Sequence, residues 1–434
     1  MNVRSLTAFI DATAESALRT RRIAGLSVAV GHDDRLLHAC GYGYADLEQQ
    51  IRASADTVYG IGSMTKQFTA VAVMQLVEQG LVRLDDKLWK YLPWSGSSQP
   101  PVTIRHLLNH TAGIRGEADL GMLIEKGSEG ASSTASIRDL LNDDLFDSPP
   151  GRVWRYSNFG YCLLGVLIES VTGDTYANYM QRSVLHRAGL ATTWCGPGAV
   201  PEGRLAKGYT DRRGRFATVE APSLEQTFSS GALYSTVQDL VQWQTILPRG
   251  SVIRADTYEQ MTTADTLETG EPLGYGYGFF LTTCGSHREI SHDGTTGGYS
   301  SQLAYYPTAR LTVAVLTNSE SHEAERIEKR VSRYVLGVPE PTIKNLTLSA
   351  SDLAAYTGTY LYKGLRIPVY VDSQRLMVQT PGRKLVRLVY QGEHAFGQED
   401  DPSVCFEFAV HSERADGFVV SREGKTLATV RRLS

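Results

Sequence analysis

The chain has 434 residues, with 43 Lys and Arg against 47 Asp and Glu, a net charge of -4 and a pI near 6.2. That length allows two or three domains and a large core, and the balanced charge, with no Lys/Arg run, argues against a nucleic-acid or membrane partner. Five cysteines, Cys40, Cys162, Cys195, Cys284 and Cys405, are odd in number and lack a C-x-x-C pair, as expected of thiols in a reducing compartment rather than a disulfide framework.

Met1 to Thr20 is broken by Arg4, Asp11, Glu15 and Arg19, so no signal peptide is visible and a cytoplasmic location is the expectation. Leu6, Phe9, Ile10, Ala14, Ala17 and Leu18 recur at three and four, which predicts an amphipathic helix over residues 4–20. Leu26 to Val30 and Leu36 to Cys40, separated by Gly31-His32-Asp33-Asp34, predict a β-hairpin, and a helix on an antiparallel sheet opens an α+β fold. A second helix begins near Ser63, with Phe68, Val71, Ala72, Leu76 and Val77 at helical spacing.

From about Leu88 the chain is punctuated by Pro93, Gly96, Pro100 and Pro101. Thr103 then caps a short helix that Gly113 is expected to end. Helical patterns continue to about residue 190, including Tyr161 to Thr172, and predict a helical lobe (about 88–200) inserted in the sheet domain. Tyr277 to Leu281, Gln302 to Pro307 and Leu311 to Leu316 read as consecutive antiparallel strands, and a helix from Ala324 to Leu336 closes a first domain at residue 337. Gly337-Val338-Pro339-Glu340-Pro341 begins a linker, 338–347. Short alternating segments around Ile367, Leu376, Val386, Cys405, Phe418 and Leu427 then predict a small β-barrel over 348–434.

The chemistry centres on Ser63-Met64-Thr65-Lys66. Lys66 is the only lysine with a serine three positions before it, and residues i and i+3 share a helix face. A buried, partly neutral amine beside a hydroxyl is a base beside a nucleophile. The loop-to-helix junction exposes the side chain and leaves backbone N–H groups for a developing anion. Trp154 to Gly160 carries Tyr156 and Asn158 ahead of a helix, although a plain loop accounts for a Tyr-x-Asn as well. Ser291 to Ser301 is dense in glycine, which allows close backbone approach to a ligand or simply a tight turn.

Together these stretches resemble the serine β-lactamase and penicillin-binding-protein superfamily, in its class-C-like branch of D-aminopeptidases, D-amino-acid amidases and carboxylesterases. Ser63-Met64-Thr65-Lys66 is similar to the first motif of that superfamily, Tyr156-Ser157-Asn158 to the second and His292-Asp293-Gly294 to the third. Supporting likeness lies in His106 to Gly113, Ser230 to Thr236 and Tyr305 to Asn318, so the resemblance covers about residues 5 to 336. It implies a β-lactamase-like antiparallel sheet with flanking helices and the inserted lobe, followed by a lipocalin-like C-terminal barrel that in such relatives lies near the active-site mouth and joins oligomer contacts. A homo-oligomer is therefore open.

Carried over by position, the resemblance implies Ser63 as acylated nucleophile, Lys66 as its base and Tyr156 as proton relay to the leaving group. Asn158, His292 and Gly294 would line the substrate, and the N–H groups of Ser63 and Thr295 would form the oxyanion hole. No metal or organic cofactor is implied. His292 stands where most β-lactamases and penicillin-binding proteins carry the lysine of Lys-Thr-Gly. An imidazole, mostly neutral at pH 7, attracts a substrate carboxylate less than an ammonium does. The expectation is a soluble serine hydrolase of small amides and peptides, of D-aminopeptidase or D-amino-acid amidase type, with a carboxylesterase as the alternative and a β-lactamase or DD-peptidase less favoured.

Three other classes fit the sequence less well. A metal site on His106 and His110 lacks His-Glu-x-x-His and a third ligand. An α/β-hydrolase would need Gly-x-Ser-x-Gly, which is absent. A non-catalytic binding module would not require Ser63, Lys66 and Tyr156 together.

Overall fold

The computed structural model describes residues 2–20, 23–94, 96–115, 141, 145–212, 215–344, 346–362, 365–380, 385–399, 401–411, 413–422 and 425–433. Helix α1 (Val3–Thr20) turns Leu6, Ile10, Ala14 and Ala17 into the core, as the apolar spacing predicts. Strands β1 (Gly25–His32) and β2 (Arg35–Asp46) pair antiparallel across Asp33 and Asp34. Both turn residues have positive φ, 49 and 63 degrees, the backbone of a two-residue hairpin whose twist matches the strands.

After the short β3 (Ile51–Arg52) and β4 (Tyr59–Gly60), a single 3-10 turn, Gly62–Met64, leads into helix α2 (Thr65–Glu78). Every residue of α2 from Thr65 to Leu76 is buried, and a helix buried on all faces belongs inside a large domain. Its polar side chains are accordingly bonded: Thr69 Oγ1 donates to the Ser229 carbonyl at 2.7 Å and Gln75 Nε2 to that of Ser183 at 2.9 Å.

Helix α3 (Ile104–Leu108) is capped by Thr103 but is shorter than the sequence predicts. It stops at Asn109, four residues before Gly113, because His110 takes the left-handed region at φ 63 degrees. Part of the expected helical lobe, residues 116–140 and 142–144, lies outside the described residues. Helix α4 (Asn158–Thr172) is capped by Ser157, whose Oγ accepts the Gly160 N–H at 3.0 Å, and ends on left-handed Gly173. Strand β5 (Trp194–Cys195) follows, then the hairpin of β6 (Gly208–Arg212) and β7 (Arg215–Val219), and the helical segment Leu224–Gly231, which is interrupted at Phe228. Strand β8 (Leu233–Ser235) pairs with β4 and β5, and helix α5 (Val237–Ile246) follows it.

The main sheet is completed by β9 (Phe280–Cys284), β10 (His287–Thr296), β11 (Tyr299–Tyr306) and β12 (Leu311–Thr317), in the order β3-β2-β1-β12-β11-β10-β9. Strand β9 begins three residues later than Tyr277, where the sequence places it. Gly278 sits at φ 82 degrees with its Cα against the backbone of Lys66 and Gln67, so this stretch packs on α2 before it can join the sheet. Val28 faces Val315 and Leu303 faces His292 across antiparallel pairs. Helix α1 and helix α6 (Glu323–Leu336) cover one face of the sheet. Helix α5 covers the other, and its Trp243 stacks on Phe68 of α2 at 4.1 Å.

The chain divides into two compact units, Met1–Leu281 with His287–Gly337, and Thr282–Ser286 with Val338–Ser434. The second is a closed antiparallel barrel of eight strands: β13 (Gly358–Tyr362), β14 (Leu365–Asp372), β15 (Arg375–Val378), β16 (Val386–Gly392), β17 (Ala395–Gln398), β18 (Asp401–His411), β19 (Arg414–Arg422) and β20 (Lys425–Arg432). The periodicity marks six of these. It misses β13 and β17. Tyr360, Phe396, Phe408 and Phe418 pack in its core, as small barrels fill their interiors with side chains. The fold is α+β: an antiparallel sheet with flanking helices, followed by a barrel. Among the described residues no helix is long and apolar enough to cross a membrane.

Candidate active site

The 3-10 turn places Ser63, half-buried, one turn before Lys66, which is 0% exposed. Lys66 Nζ lies 3.1 Å from Ser63 Oγ, 2.8 Å from Asn158 Oδ1 and 2.9 Å from the Ser230 carbonyl oxygen. The last two atoms only accept. They take two N–H bonds of a neutral amine and leave its lone pair for the Ser63 hydroxyl. Burial holds the Lys66 pKa down to about 7, against smaller upward pulls from Cys162 and Asp293. The amine is thus a base poised near neutral pH. Ser229 and Ser230 lie in the last turn of the segment Leu224–Gly231, where helix carbonyls lack helical partners; α2 supplies them through Thr69 and Lys66.

Tyr156 sits over this pair, with Lys66 Nζ 4.9 Å from its ring centroid. Burial lifts its pKa well above the usual phenol value, while a hydrogen bond with the Ser63 side chain lowers it. It therefore rests as a phenol, a proton donor, and Lys66 is the better base. Asn158, first residue of α4, reaches back to Lys66 from the second motif.

Two glycines let the third motif close on the serine. A Cβ on Gly294 would lie 2.0 Å from the Ile61 carbonyl oxygen and 2.9 Å from the Ser63 nitrogen. On Gly62, whose φ is 50 degrees, a Cβ would lie 2.9 Å from the Thr295 nitrogen. Ser301 Oγ ties the layers together by donating to the Ile61 carbonyl at 2.8 Å. The backbones at Ser63 and at Thr295 are so brought close together.

His292 is 1% exposed. Its Nδ1 lies 2.6 Å from the Asp293 carbonyl oxygen, which can only accept, and its Nε2 lies 2.9 Å from the Tyr275 hydroxyl. Both nitrogens are thus engaged inside the protein, in a wall that includes Phe280 at 5.0 Å. Tyr161, Tyr275, Phe280 and His110 surround Tyr156 or Lys66 and were assigned no catalytic part from the sequence. The one hint is Tyr275-Gly276-Tyr277-Gly278, where rings alternate with glycines that permit close packing. His106 and His110 do not share a helix face: His106 Nδ1 accepts the Thr103 N–H at 3.2 Å, and His110 lies beyond the end of α3. Among the described residues no group of three or more His, Cys, Asp or Glu side chains is placed to hold a metal ion.

A serine backed by a buried amine, at the edge of an antiparallel sheet flanked by helices, defines a β-lactamase-fold hydrolase. The chain belongs to the Beta-lactamase family, whose family model matches residues 10–336. It is 27% identical over 430 residues to penicillin-binding protein 4* of Bacillus subtilis (strain 168), covering 94% of each chain. It is also similar, at 26% identity and a TM-score of 0.70, to the octameric penicillin-binding protein homologue from Pyrococcus abyssi, over 99% of this chain and 100% of that one. The D-amino acid amidase from Ochrobactrum anthropi SV3 shares the fold, at 23% identity and a TM-score of 0.66 over 77% of this chain and 98% of that one.

Proposed function

We propose that this hydrolase forms an acyl-enzyme on Ser63 and cleaves small amides or peptides, with amino-acid amides of D configuration as the leading substrates. The observation that carries the reading is the 3.1 Å approach of a fully buried Lys66 amine to Ser63 Oγ. Lys66 Nζ takes the Ser63 proton as Oγ bonds to the substrate carbonyl carbon. The resulting oxyanion is held by the Ser63 and Thr295 N–H groups. Tyr156 gives its proton to the departing nitrogen as the C–N bond breaks and regains one from the Lys66 ammonium, which returns the amine to its neutral form. Water then attacks the ester carbonyl, and the proton it loses returns Ser63 to its hydroxyl form.

The buried His292, with both nitrogens engaged inside the protein, leaves no ring nitrogen free for a substrate carboxylate, which disfavours β-lactams and DD-peptides. It serves this site as part of the wall beside Gly294, with Asn158 facing the substrate's carbonyl side. A carboxylesterase remains the second reading, because the same wall would accept an uncharged ester. The octameric Pyrococcus abyssi protein supports a homo-oligomer.

Turnover of D- and L-alanine p-nitroanilide, p-nitrophenyl acetate and a chromogenic cephalosporin separates these readings. The expected order is D-anilide and acetate turned over, cephalosporin not, and all activity lost in Ser63→Ala. Ester turnover alone would favour the esterase, and turnover surviving in Ser63→Ala would overturn the acyl-enzyme.

A further inference from the structure

We infer that His110 is a positioning residue that aims the Tyr156 hydroxyl at the leaving group, an assignment that rests on the acyl-enzyme reading above. Both chain neighbours of Tyr156 are tied to this one residue. The Arg155 N–H donates to the His110 carbonyl oxygen at 2.9 Å, and the Ser157 N–H donates to His110 Nδ1 at 3.1 Å. Between these two bonds the Tyr156 ring lies against the imidazole, with centroids 4.4 Å apart and planes 39 degrees from parallel. Ser157 in turn caps the helix that begins with Asn158. One residue therefore orients both the proton donor and the residue that bonds Lys66.

The cost of this arrangement marks it as built. His110 holds φ at 63 degrees, a conformation an L residue keeps only where its surroundings impose it. Because Nδ1 accepts from Ser157, the ring proton sits on Nε2, and that nitrogen is buried with no hydrogen-bond partner. Buried polar atoms are seldom left so, and the imidazole gives up one bond to make the other. Burial and the nearby Lys66 charge keep its pKa well below the ordinary histidine value, so it adds no charge beside the base. His110 lines a small cavity together with Leu107, Ala112, Ile114 and Gly160.

A role in aiming Tyr156 is selective for the leaving group. Ammonia cannot leave an amide without a proton, whereas p-nitrophenolate leaves an ester unaided. The experiment compares D-alaninamide and p-nitrophenyl acetate in His110→Phe, which keeps a ring but removes the acceptor. His110→Asn, which restores an acceptor and tolerates positive φ, and Tyr156→Phe complete the set. His110→Phe is expected to lose about a hundredfold in kcat on the amide, with KM and ester turnover changed only a few-fold. His110→Asn is expected to recover most of the loss, and His110→Phe to add nothing in a Tyr156→Phe background. Equal losses on both substrates, or additive losses with Tyr156→Phe, would overturn the assignment. If His110→Phe does not fold, the amide-to-ester ratio of His110→Leu, which also lacks the acceptor, decides: a lowered ratio supports the assignment and an unchanged ratio overturns it. Activity in Ser63→Ala would sink the acyl-enzyme instead, so the two failures are distinct.

Discussion

At the scale of single residues, the proposed chemistry turns on Lys66. An ammonium that keeps all three N–H bonds would donate to Ser63 Oγ and suppress its attack, so the base works only once deprotonated. With burial holding its pKa at about 7, kcat/KM for an uncharged ester is expected to rise about tenfold per pH unit below 7 and to level off above it. A stopped-time assay from pH 5 to 9 checks this, and a flat profile would remove Lys66 from the role. The pair was legible in the sequence because i and i+3 are neighbours on any helix. Its other two partners were not: Asn158 Oδ1 and the Ser230 carbonyl come from positions 92 and 164 residues away. Nothing local in either stretch says that they converge.

Among elements, the decisive contact is between the 3-10 turn before α2 and strand β10. Two backbones approach so closely there that Gly62 and Gly294 have no room for a methyl group. Gly294→Ala would push the strand off Ile61 and Ser63 and separate the two amides. Losing one oxyanion donor costs about a hundredfold or more in kcat, so a loss of that order is expected, with α-helical circular dichroism retained. Unchanged kcat would mean that the Ser63 and Thr295 amides do not hold the oxyanion. The glycine-rich run was visible in the sequence, but whether it made a turn or a close approach depended on the element facing it. Likewise the capped start of α3 was readable at Thr103. Its early end was not, because left-handed His110 is held by Ser157 and Arg155, more than forty residues on.

At the scale of the whole molecule, the two units carry separate hydrophobic cores. One runs from Ala29 to Leu316 through α2, and the other lies within Leu353 to Val430. A unit with a hydrophobic core of its own can in principle fold alone. Residues 1–337 expressed alone are therefore expected to melt cooperatively and to label at Ser63 with a fluorophosphonate. A molten or insoluble product would show that the first unit depends on the barrel. Six of the eight barrel strands could be placed from alternation, because inward and outward positions differ in polarity; closure of the sheet could not, since it is set by which edge strands meet.

The sequence by itself determined the local matters: the hairpin, the amphipathic helices, the serine one turn before the lysine and the spacing of three motifs that resemble one superfamily. These follow from periodicity and from neighbours within a turn or two, which any chain carries in its order of residues. Tertiary structure alone decided that Lys66 is stripped of water and lowered toward neutrality, that His292 is sealed in a wall with both nitrogens engaged, and that His110 grips the loop bearing Tyr156. Desolvation and long-range hydrogen bonds depend on what the rest of the chain brings alongside, and residue order does not state that until the chain has folded.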